Sequence, residues 1–284
     1  MKPDDFTFLA ALLKRQSGLV LSPDKLYLIE SRLMPIARKR GAETLDSLVA
    51  ELRTSAESSP LVKQVTDAMT TNESFFFRDI KPFDQFQRIV MPALLEARAS
   101  VKKIRIWSAA CSSGQEPYSL AMILRDMGPK LTGWRVEIMA TDISAEMLEK
   151  SKAGLYSQFE VQRGLPVTYL VKYFTQMGDK WKIDPSLREI IQFREFNLLH
   201  EPSGLGQFDV VFIRNVLIYF DNKTKCEILA RVHKIMPTDG FLYLGGAETV
   251  LGISDKFQPY HGERGIYCQT KAPAQQMAPR SAVS

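Results

Sequence analysis

The sequence predicts an α/β protein: a doubly wound parallel sheet with a small inserted β-subdomain, preceded by an all-α N-terminal domain. Three observations predict this fold. The first 75 or so residues show apolar side chains at helical spacing and no strand pattern. From about residue 100, short apolar runs alternate with helical segments over short connections, which is typical of parallel sheets. An aromatic-rich stretch at 154–190 interrupts the alternation.

The N-terminal segment is predicted to form four helices. The first carries apolar residues at helical spacing from Phe6 to Leu13. The second begins where a serine, a proline and an acid stand together, a combination that suits a helix start. It ends at Gly41, and Pro35 predicts a kink in it. The expected starts of the second, third and fourth helices are Ser22-Pro23-Asp24, Thr44 and Ser59-Pro60.

Five apolar runs are predicted to form the sheet. They cover residues 102–109, 134–142, 190–196, 208–215 and 240–246. Helices are expected from about Glu116 to Met127, after Ser144, and over 223–236. In such sheets the ligand binds at the loops that follow the carboxyl ends of the strands. The functional residues are therefore expected in those loops.

These patterns divide the chain into domains. Residues 1–75 are predicted to be the helical domain, with a linker to about residue 90, and 91–270 the sheet domain. Within the insert, Met177-Gly178-Asp179 predicts the turn of a small hairpin. The tail 271–284 is rich in Ala, Pro and Gln and is predicted to be disordered.

Composition excludes several classes of protein. The 284 residues include 37 Lys and Arg against 32 Asp and Glu, a formal net charge of +5. No stretch approaches the ~18–20 apolar residues of a membrane-spanning helix, and the N-terminus does not have the pattern of an export signal. The three widely spaced cysteines form no zinc pattern or disulfide framework. We therefore expect a cytoplasmic protein with reduced thiols, no metal site and no membrane insertion.

The turn after the first strand and the acid after the second predict an adenosyl ligand. Small residues ending in Gly114 allow a ligand to approach the backbone, although they match neither a GxGxxG nor a Walker pattern. Asp142, at the tip of the second strand, is placed to accept hydrogen bonds from both ribose hydroxyls. Each feature has an alternative explanation: a tight strand–helix turn for the first, and a helix cap for Asp142.

Other polar residues are predicted at the same edge of the sheet. Arg214 and Asn215 follow a buried strand, with Tyr219 nearby, and Asn197-Leu198 ends the preceding strand. A packed polar pair is the alternative for Arg214 and Asn215, and an ordinary turn for Asn197. The segment between the two domains adds polar residues beside a triple Phe that suits an interdomain core. The polar residues that could line a cleft there are Asn72, Ser74 and Arg78.

Five motifs carry a resemblance to a known family. TTNESFFFRD, CSSGQEPYSLAM, ATDIS, FNLL and IRNVLIYF, in this order and at these separations, resemble the chemotaxis receptor methyltransferases (CheR), over about residues 5–270. The resemblance implies a Rossmann-like class I methyltransferase sheet. It also implies transfer of a methyl group from S-adenosylmethionine to glutamate side chains on the cytoplasmic helices of chemoreceptors, by in-line displacement.

The resemblance also implies roles for individual residues. Arg78 and Tyr219 match the pair beside the transferred methyl group, and Arg78 also matches a cofactor contact. The other implied cofactor-binding residues are Asn72, Ser74, Glu116, Asp142, Asn197, Leu198, Ile213, Arg214 and Asn215. The chain departs from the family pattern at Ser74, Gln115 and Ile213, where Thr, Glu and Cys are common. The loss of charge puts the role of Gln115 in doubt.

The resemblance further suggests how the partner is recognised. A basic stretch on the second helix fits a surface that steers an acidic helical bundle, with a solvated basic face as the alternative. Its members are Lys25, Arg32, Arg38, Lys39 and Arg40. Some members of the family bind a receptor's C-terminal pentapeptide through the inserted hairpin. The hairpin loop TQMGDKWKID looks shorter here, so we expect a pentapeptide-independent monomer.

Three other functions are weighed against this one. A methyltransferase acting on nucleic acid or small molecules is supported by the net charge, but the chain has no basic–aromatic stripe and no NPPY-like motif. A module that binds S-adenosylmethionine without turnover is disfavoured by the intact Arg78 and Tyr219. A dehydrogenase is excluded by the glycine spacing. We therefore expect no nucleic-acid partner.

Overall fold

The N-terminal lobe is all-helical, as predicted. A computed structural model describes residues 1–260 and 262–270; the predicted tail 271–284 lies outside the described residues. Leu9, Leu13, Ile29, Leu33 and Val65 are fully buried in the centre of the lobe. Its four helices are α1 (Pro3–Ser17), α2 (Leu26–Lys39), α3 (Leu45–Thr54) and α4 (Pro60–Met69).

Two of the predicted helix starts are confirmed and one is wrong. The side-chain oxygens of Thr44 and Ser59 accept hydrogen bonds from backbone N–H groups in the first turns of α3 and α4. By contrast, α2 begins at Leu26 rather than at Ser22-Pro23-Asp24. The reason is that Pro23–Lys25 form a separate 3₁₀ turn, which ends before the α-helical bonds begin.

The segment between the lobe and the sheet is more helical than the sequence suggested. Part of the predicted linker is helix, since α5 (Lys81–Gln85) continues through a π-helical turn, Phe86–Val90, into α6 (Met91–Ala97). Phe83 and Phe86 of this segment are buried in the core on one face of the sheet. This segment therefore packs against that core before the chain enters the first strand.

The main sheet has seven strands in the order β6-β2-β1-β7-β8-β10-β9. The five predicted strands are confirmed and all run parallel. They are β1 (Lys103–Ala109), β2 (Arg135–Asp142), β6 (Ile191–Glu195), β7 (Val210–Ile213) and β8 (Phe241–Leu244). Two short antiparallel strands, β9 (Phe257–Pro259) and β10 (Ile266–Gln269), extend one edge and were not predicted. They lie in a stretch, 256–270, where polar residues interrupt the apolar ones, so no apolar run marks them.

Helices cover both faces of the sheet, which makes it doubly wound as predicted. Successive side chains of β1 enter two different cores, Ile106 on one face and Trp107 on the other. This alternation explains why the second half of the strand, from Ile106 to Ala109, is buried on both faces. The main flanking helices are α7 (Gln115–Met127), α8 (Ala145–Ala153) and α12 (Asn222–Lys234).

The insert forms a three-stranded antiparallel sheet of order β3-β5-β4. The predicted hairpin is confirmed, with Gly178 and Asp179 as its two-residue turn. Three short helices in the insert were not predicted. Its elements are β3 (Leu155–Ser157), α9 (Gln158–Gln162), α10 (Val167–Tyr173), β4 (Phe174–Met177), β5 (Lys180–Ile183) and α11 (Pro185–Arg188). Within residues 1–260 and 262–270, none of the helices has both the length and the apolar character needed to cross a membrane.

Candidate active site

A cleft opens at the carboxyl edge of the sheet. It is bounded by the loops that follow β1, β2, β6 and β7 and by the segment that joins the helical lobe to the sheet domain. The loops in which ligand-binding residues were predicted therefore border one cleft, and ligand binding by these residues stays a prediction. The predicted residues that line the cleft are Asn72, Ser74, Arg78, Glu116, Asp142, Asn197, Leu198, Arg214, Asn215 and Tyr219.

Among the predicted catalytic and cofactor-binding residues, Ile213 is the one that does not line the cleft. It is the last residue of β7, and its side chain is fully buried in the core on one face of the sheet. Its predicted role as a cofactor contact stays a prediction that the cleft geometry does not support.

Asp142 presents a buried carboxylate to the cleft. The last residue of β2, it is only 5% exposed. Its Oδ2 accepts a hydrogen bond from the backbone N–H of Ser112 (2.7 Å), and its Oδ1 accepts one from that of Ser144 (2.9 Å). Burial raises the pKa of this carboxyl group, and the two backbone N–H groups partly oppose that shift. The carboxylate therefore joins two loops and still lines the cleft.

The turn after β1 is held in an unusual backbone conformation. Ala110, Ser112 and Gly114 all have positive φ, at 55°, 50° and 92°. The Ser112 hydroxyl donates a hydrogen bond to the backbone oxygen of Asn72 (3.0 Å), which ties this turn to the interdomain segment. Sequence reasoning missed Ser112. Its only signal was its place among the small residues before Gly114.

Arg214 lies at the centre of a buried polar network. Its side chain is 1% exposed and its Nη1 donates a hydrogen bond to Oε2 of Glu116 (2.9 Å). Its Nη2 donates to the backbone oxygen of Arg78 and to Asp79, at 2.8 and 2.7 Å. Ser108 donates to the other Glu116 oxygen (2.8 Å). The network thus fixes the N-terminal end of α7, the C-terminal end of β7 and the interdomain segment relative to one another.

Arg78 reaches the cleft from the interdomain segment. Its Nη1 donates a hydrogen bond to the backbone oxygen of Glu73 (2.9 Å), and its guanidinium lies 5.4 Å from the centre of the Phe75 ring. Phe77, Asp79 and Ile80 around it have positive φ, a costly conformation for residues other than glycine. Such strain at three neighbouring positions is typical of a functional segment.

The C-terminus of α1 closes one side of the cleft. Asn197 Nδ2 donates a hydrogen bond to the backbone oxygen of Gln16 (2.7 Å), and the backbone N–H of Val20 donates to the oxygen of Tyr219 (3.0 Å). Gly18 has positive φ, and a Cβ on it would lie 2.8 Å from the Phe220 ring. Sequence reasoning missed this contribution of α1, because a contact nearly 200 residues away along the chain leaves no local pattern.

Comparison with known proteins decides the family. Residues 72–266 match the family described as "CheR methyltransferase, SAM binding domain", and residues 4–70 match "CheR methyltransferase, all-alpha domain". The chain belongs to the CheR methyltransferase family. It is 40% identical over 273 residues to "Chemotaxis protein methyltransferase 1" of Pseudomonas aeruginosa, covering 94% of this chain and 98% of the relative. It is 38% identical over 271 residues to "Chemotaxis protein methyltransferase Cher2" of Pseudomonas putida, with 94% and 98% covered.

The residues of the cleft fit the S-adenosylmethionine cofactor of a CheR methyltransferase. The buried Asp142 carboxylate has the chemistry of an acceptor that would hold the ribose hydroxyls. Arg214 Nε is buried and has no hydrogen-bond partner in the described part of the chain, so the chain itself leaves this polar group beside the cleft unsatisfied. When bound, the cofactor supplies a methyl group on a positively charged sulfur.

The predicted receptor-contact residues fall into two groups. Lys25, Arg38 and Lys39 are exposed on the surface of the helical lobe. Arg32 is half-buried and donates to the backbone oxygens of Met69 and Thr70 at the end of α4. Arg40 pairs with Glu51 of α3. Arg32 and Arg40 therefore have structural partners within the lobe.

Proposed function

We propose that this enzyme transfers the methyl group of S-adenosylmethionine to glutamate side chains on the cytoplasmic helical region of chemoreceptors, giving glutamyl methyl esters for sensory adaptation. The observation that carries the proposal is that one cleft is lined by the Asp142 carboxylate, by the Glu116–Arg214 pair, and by Arg78 and Tyr219. We also propose that it acts as a cytoplasmic monomer, with residues 1–75 as the receptor-recognition domain.

The chain's residues orient the substrate rather than activate it. A free glutamate has a pKa near ~4.3 and is ionised at pH 7, so the reaction needs no general base. Arg78 is suited to align the incoming carboxylate through its planar fork. A tight bidentate clamp on the substrate carboxylate would reduce its nucleophilicity. The hydrogen bond from Arg78 to the backbone oxygen of Glu73 disfavours such a clamp, because it engages one of the two terminal nitrogens of the guanidinium. Tyr219 would shield the reacting centre from water.

The proposed activity is tested by incubating the enzyme with cofactor labelled in its methyl group and receptor-containing membranes. We expect label in the receptor that mild base releases as methanol, as it does from an ester. A cofactor-binding module without turnover would transfer no label, and an N- or S-methyltransferase would give base-stable label.

Receptor recognition is proposed to depend on the exposed basic residues of α2. Charge reversal, Arg38→Glu with Lys39→Glu, should slow receptor methylation several-fold at low salt and flatten its salt dependence, because steering by an acidic bundle would be lost. Initial rates between about 20 and 300 mM salt measure this.

The matched control reverses two exposed charges elsewhere, Arg88→Glu with Lys130→Glu, for the same change in net charge. The N-terminal end of α7 borders the cleft, and Lys130 lies beyond its C-terminal end. Lys130 is therefore separated from the cleft by the length of that helix, about 20 Å. Equal slowing by both pairs would show a general charge effect and contradict the proposed surface.

The insert is proposed to work without a pentapeptide tether. Its hairpin turn is only two residues long, although β4 lies at the free edge of the three-stranded sheet. A receptor lacking its last five residues should be methylated at the same rate as the intact receptor. Micromolar binding of the free C-terminal peptide in a calorimetric titration would contradict this.

A further inference from the structure

The loop that follows β7 must be held in place by something outside itself. It carries Asn215 and Tyr219 into the cleft, and Asn215 adopts a positive φ of 60°. This left-handed conformation costs free energy for any residue other than glycine, although asparagine tolerates it best. A loop with this backbone keeps its shape only where the surroundings fix it.

The side chain of Glu248 fixes the loop. Its Oε2 accepts hydrogen bonds from the backbone N–H groups of Asn215 (2.8 Å) and Gly245 (2.6 Å), and its Oε1 accepts one from that of Ile218 (3.3 Å). Glu248 is 9% exposed. A buried carboxylate that accepts three backbone N–H groups is a strong, charge-assisted anchor.

The backbone around Glu248 is shaped for this contact. The strand β8 lies beside β7, with Leu244 paired to Ile213, so the residues that follow the two strands are neighbours. A Cβ on Gly245 would lie 2.7 Å from Oε2 of Glu248 and 2.7 Å from Nδ2 of Asn215. Only glycine therefore allows the carboxylate to approach the start of the β7 loop this closely.

We propose that Glu248 is a positioning residue for methyl transfer: it holds Asn215 and, through Ile218, the neighbouring Tyr219 in their reactive placement. The inference rests on the proposed function. Glu248 is not among the described residues that line the cleft, and its oxygens are engaged by backbone N–H groups. It acts on the reaction through the loop rather than by touching the substrate.

Arg214 gives the inference a sharp consequence. Although it stands next to Asn215, it is held independently by Glu116 and Asp79. Loss of Glu248 should therefore move the part of the loop from Asn215 to Tyr219 and leave the Arg214 network in place. The effect should fall on the methyl-transfer step more than on cofactor binding.

The experiment compares Glu248→Ala with the wild-type enzyme in two measurements. The kcat for receptor methylation should fall about 10- to 100-fold, since misplacement by about 1 Å has effects of this size. The Kd of S-adenosylhomocysteine, measured by calorimetry, should rise by no more than about threefold, roughly 0.65 kcal/mol. An unchanged kcat in Glu248→Ala would overturn the inference, whereas a wild-type enzyme inactive on receptors would overturn the proposed function instead.

Two further variants separate positioning from loss of stability. Glu248→Gln keeps an acceptor for the two shorter bonds and should recover most of the lost kcat. Gln269→Ala is the matched control, because Gln269 is a buried polar residue whose Nε2 donates to the backbone oxygens of His233 and Met236, away from the cleft. It should lower the Tm and leave kcat unchanged; a kcat loss in Gln269→Ala equal to that of Glu248→Ala would assign both effects to stability.

A double-mutant cycle tests the route through Tyr219. If Glu248 acts by placing the Tyr219 ring, Glu248→Ala should cost much less kcat in a Tyr219→Ala background, where that ring is absent, than in the wild-type background. Full additivity of the two losses would show that Glu248 does not act through Tyr219 and would overturn that part of the inference.

Discussion

Replacing Arg78 with alanine should reduce kcat for receptor methylation by about 100-fold or more while the Kd of S-adenosylhomocysteine rises far less. The reason is that the guanidinium aligns a carboxylate that is already ionised, and orientation is the main source of acceleration for such a nucleophile. Methyl-transfer kinetics at saturating cofactor and calorimetric binding of S-adenosylhomocysteine measure the two effects separately. Arg78→Lys should give an intermediate kcat, since it keeps the charge and loses the planar fork.

Arg163→Ala is a closely matched control for this prediction. The guanidinium of Arg163 lies 4.5 Å from the centre of the same Phe75 ring and pairs with the side chain of Glu73, yet Arg163 does not line the cleft among the described residues. It should therefore lose similar packing and keep near-normal kcat. Equal losses of kcat and of cofactor affinity in Arg78→Ala would instead make Arg78 a cofactor ligand and remove it from the reaction.

Local sequence patterns predicted the fold because the secondary structure that each segment favours by itself is also the one that it adopts in the folded chain. The five apolar runs became the five parallel strands, and the residues that follow four of them line the cleft. The alternative explanation weighed for Asp142, a helix cap, does not describe its contacts: Ser144 is the capping residue of α8, whereas Asp142 accepts the backbone N–H of Ser144 and lines the cleft. Sequence placed an acid and a serine close together at the end of a buried strand, and the structure shows which of the two caps the helix.

The parts of the site that sequence missed depend on pairs far apart in the chain. Arg214 was expected to form a packed pair with Asn215 or to bind a ligand, but its partner is Glu116, 98 residues earlier. Glu248 reaches the loop after β7 from 33 residues downstream. Arg32 was predicted only as part of a recognition surface, and sequence did not indicate that it donates to the backbone oxygens at the end of α4. Sequence periodicity indicates which side chains are buried, but not which distant group a buried charge will meet.

Replacing Asp142 with asparagine should raise the Kd of S-adenosylhomocysteine about 100-fold. A carboxylate that accepts two ribose hydroxyls makes charge-assisted bonds, worth about 1.5–3 kcal/mol each, and about 2.8 kcal/mol corresponds to 100-fold. Asparagine has only one acceptor oxygen, and its NH₂ group would face one of the backbone N–H groups that Asp142 now binds. The kcat at saturating cofactor should change much less, because the receptor glutamate is aligned by Arg78.

The pH dependence of binding provides a second measurement. Because burial raises the pKa of Asp142, the ionised form that accepts both hydroxyls is lost at a higher pH than for an ordinary aspartate. Cofactor affinity of the wild-type enzyme should therefore weaken as the pH falls through that raised pKa, whereas the affinity of Asp142→Asn should stay flat.

Ser144→Ala separates the ribose contact from the local structure that Asp142 supports. The Ser144 side chain caps α8 by accepting the backbone N–H of Met147, so its loss should cost about 1 kcal/mol of stability. The carboxylate remains in place in this variant, and the Kd of S-adenosylhomocysteine should be unchanged. If Ser144→Ala weakened binding as much as Asp142→Asn, the effect would come from the turn at the end of β2, and Asp142 would be a structural residue rather than the ribose ligand.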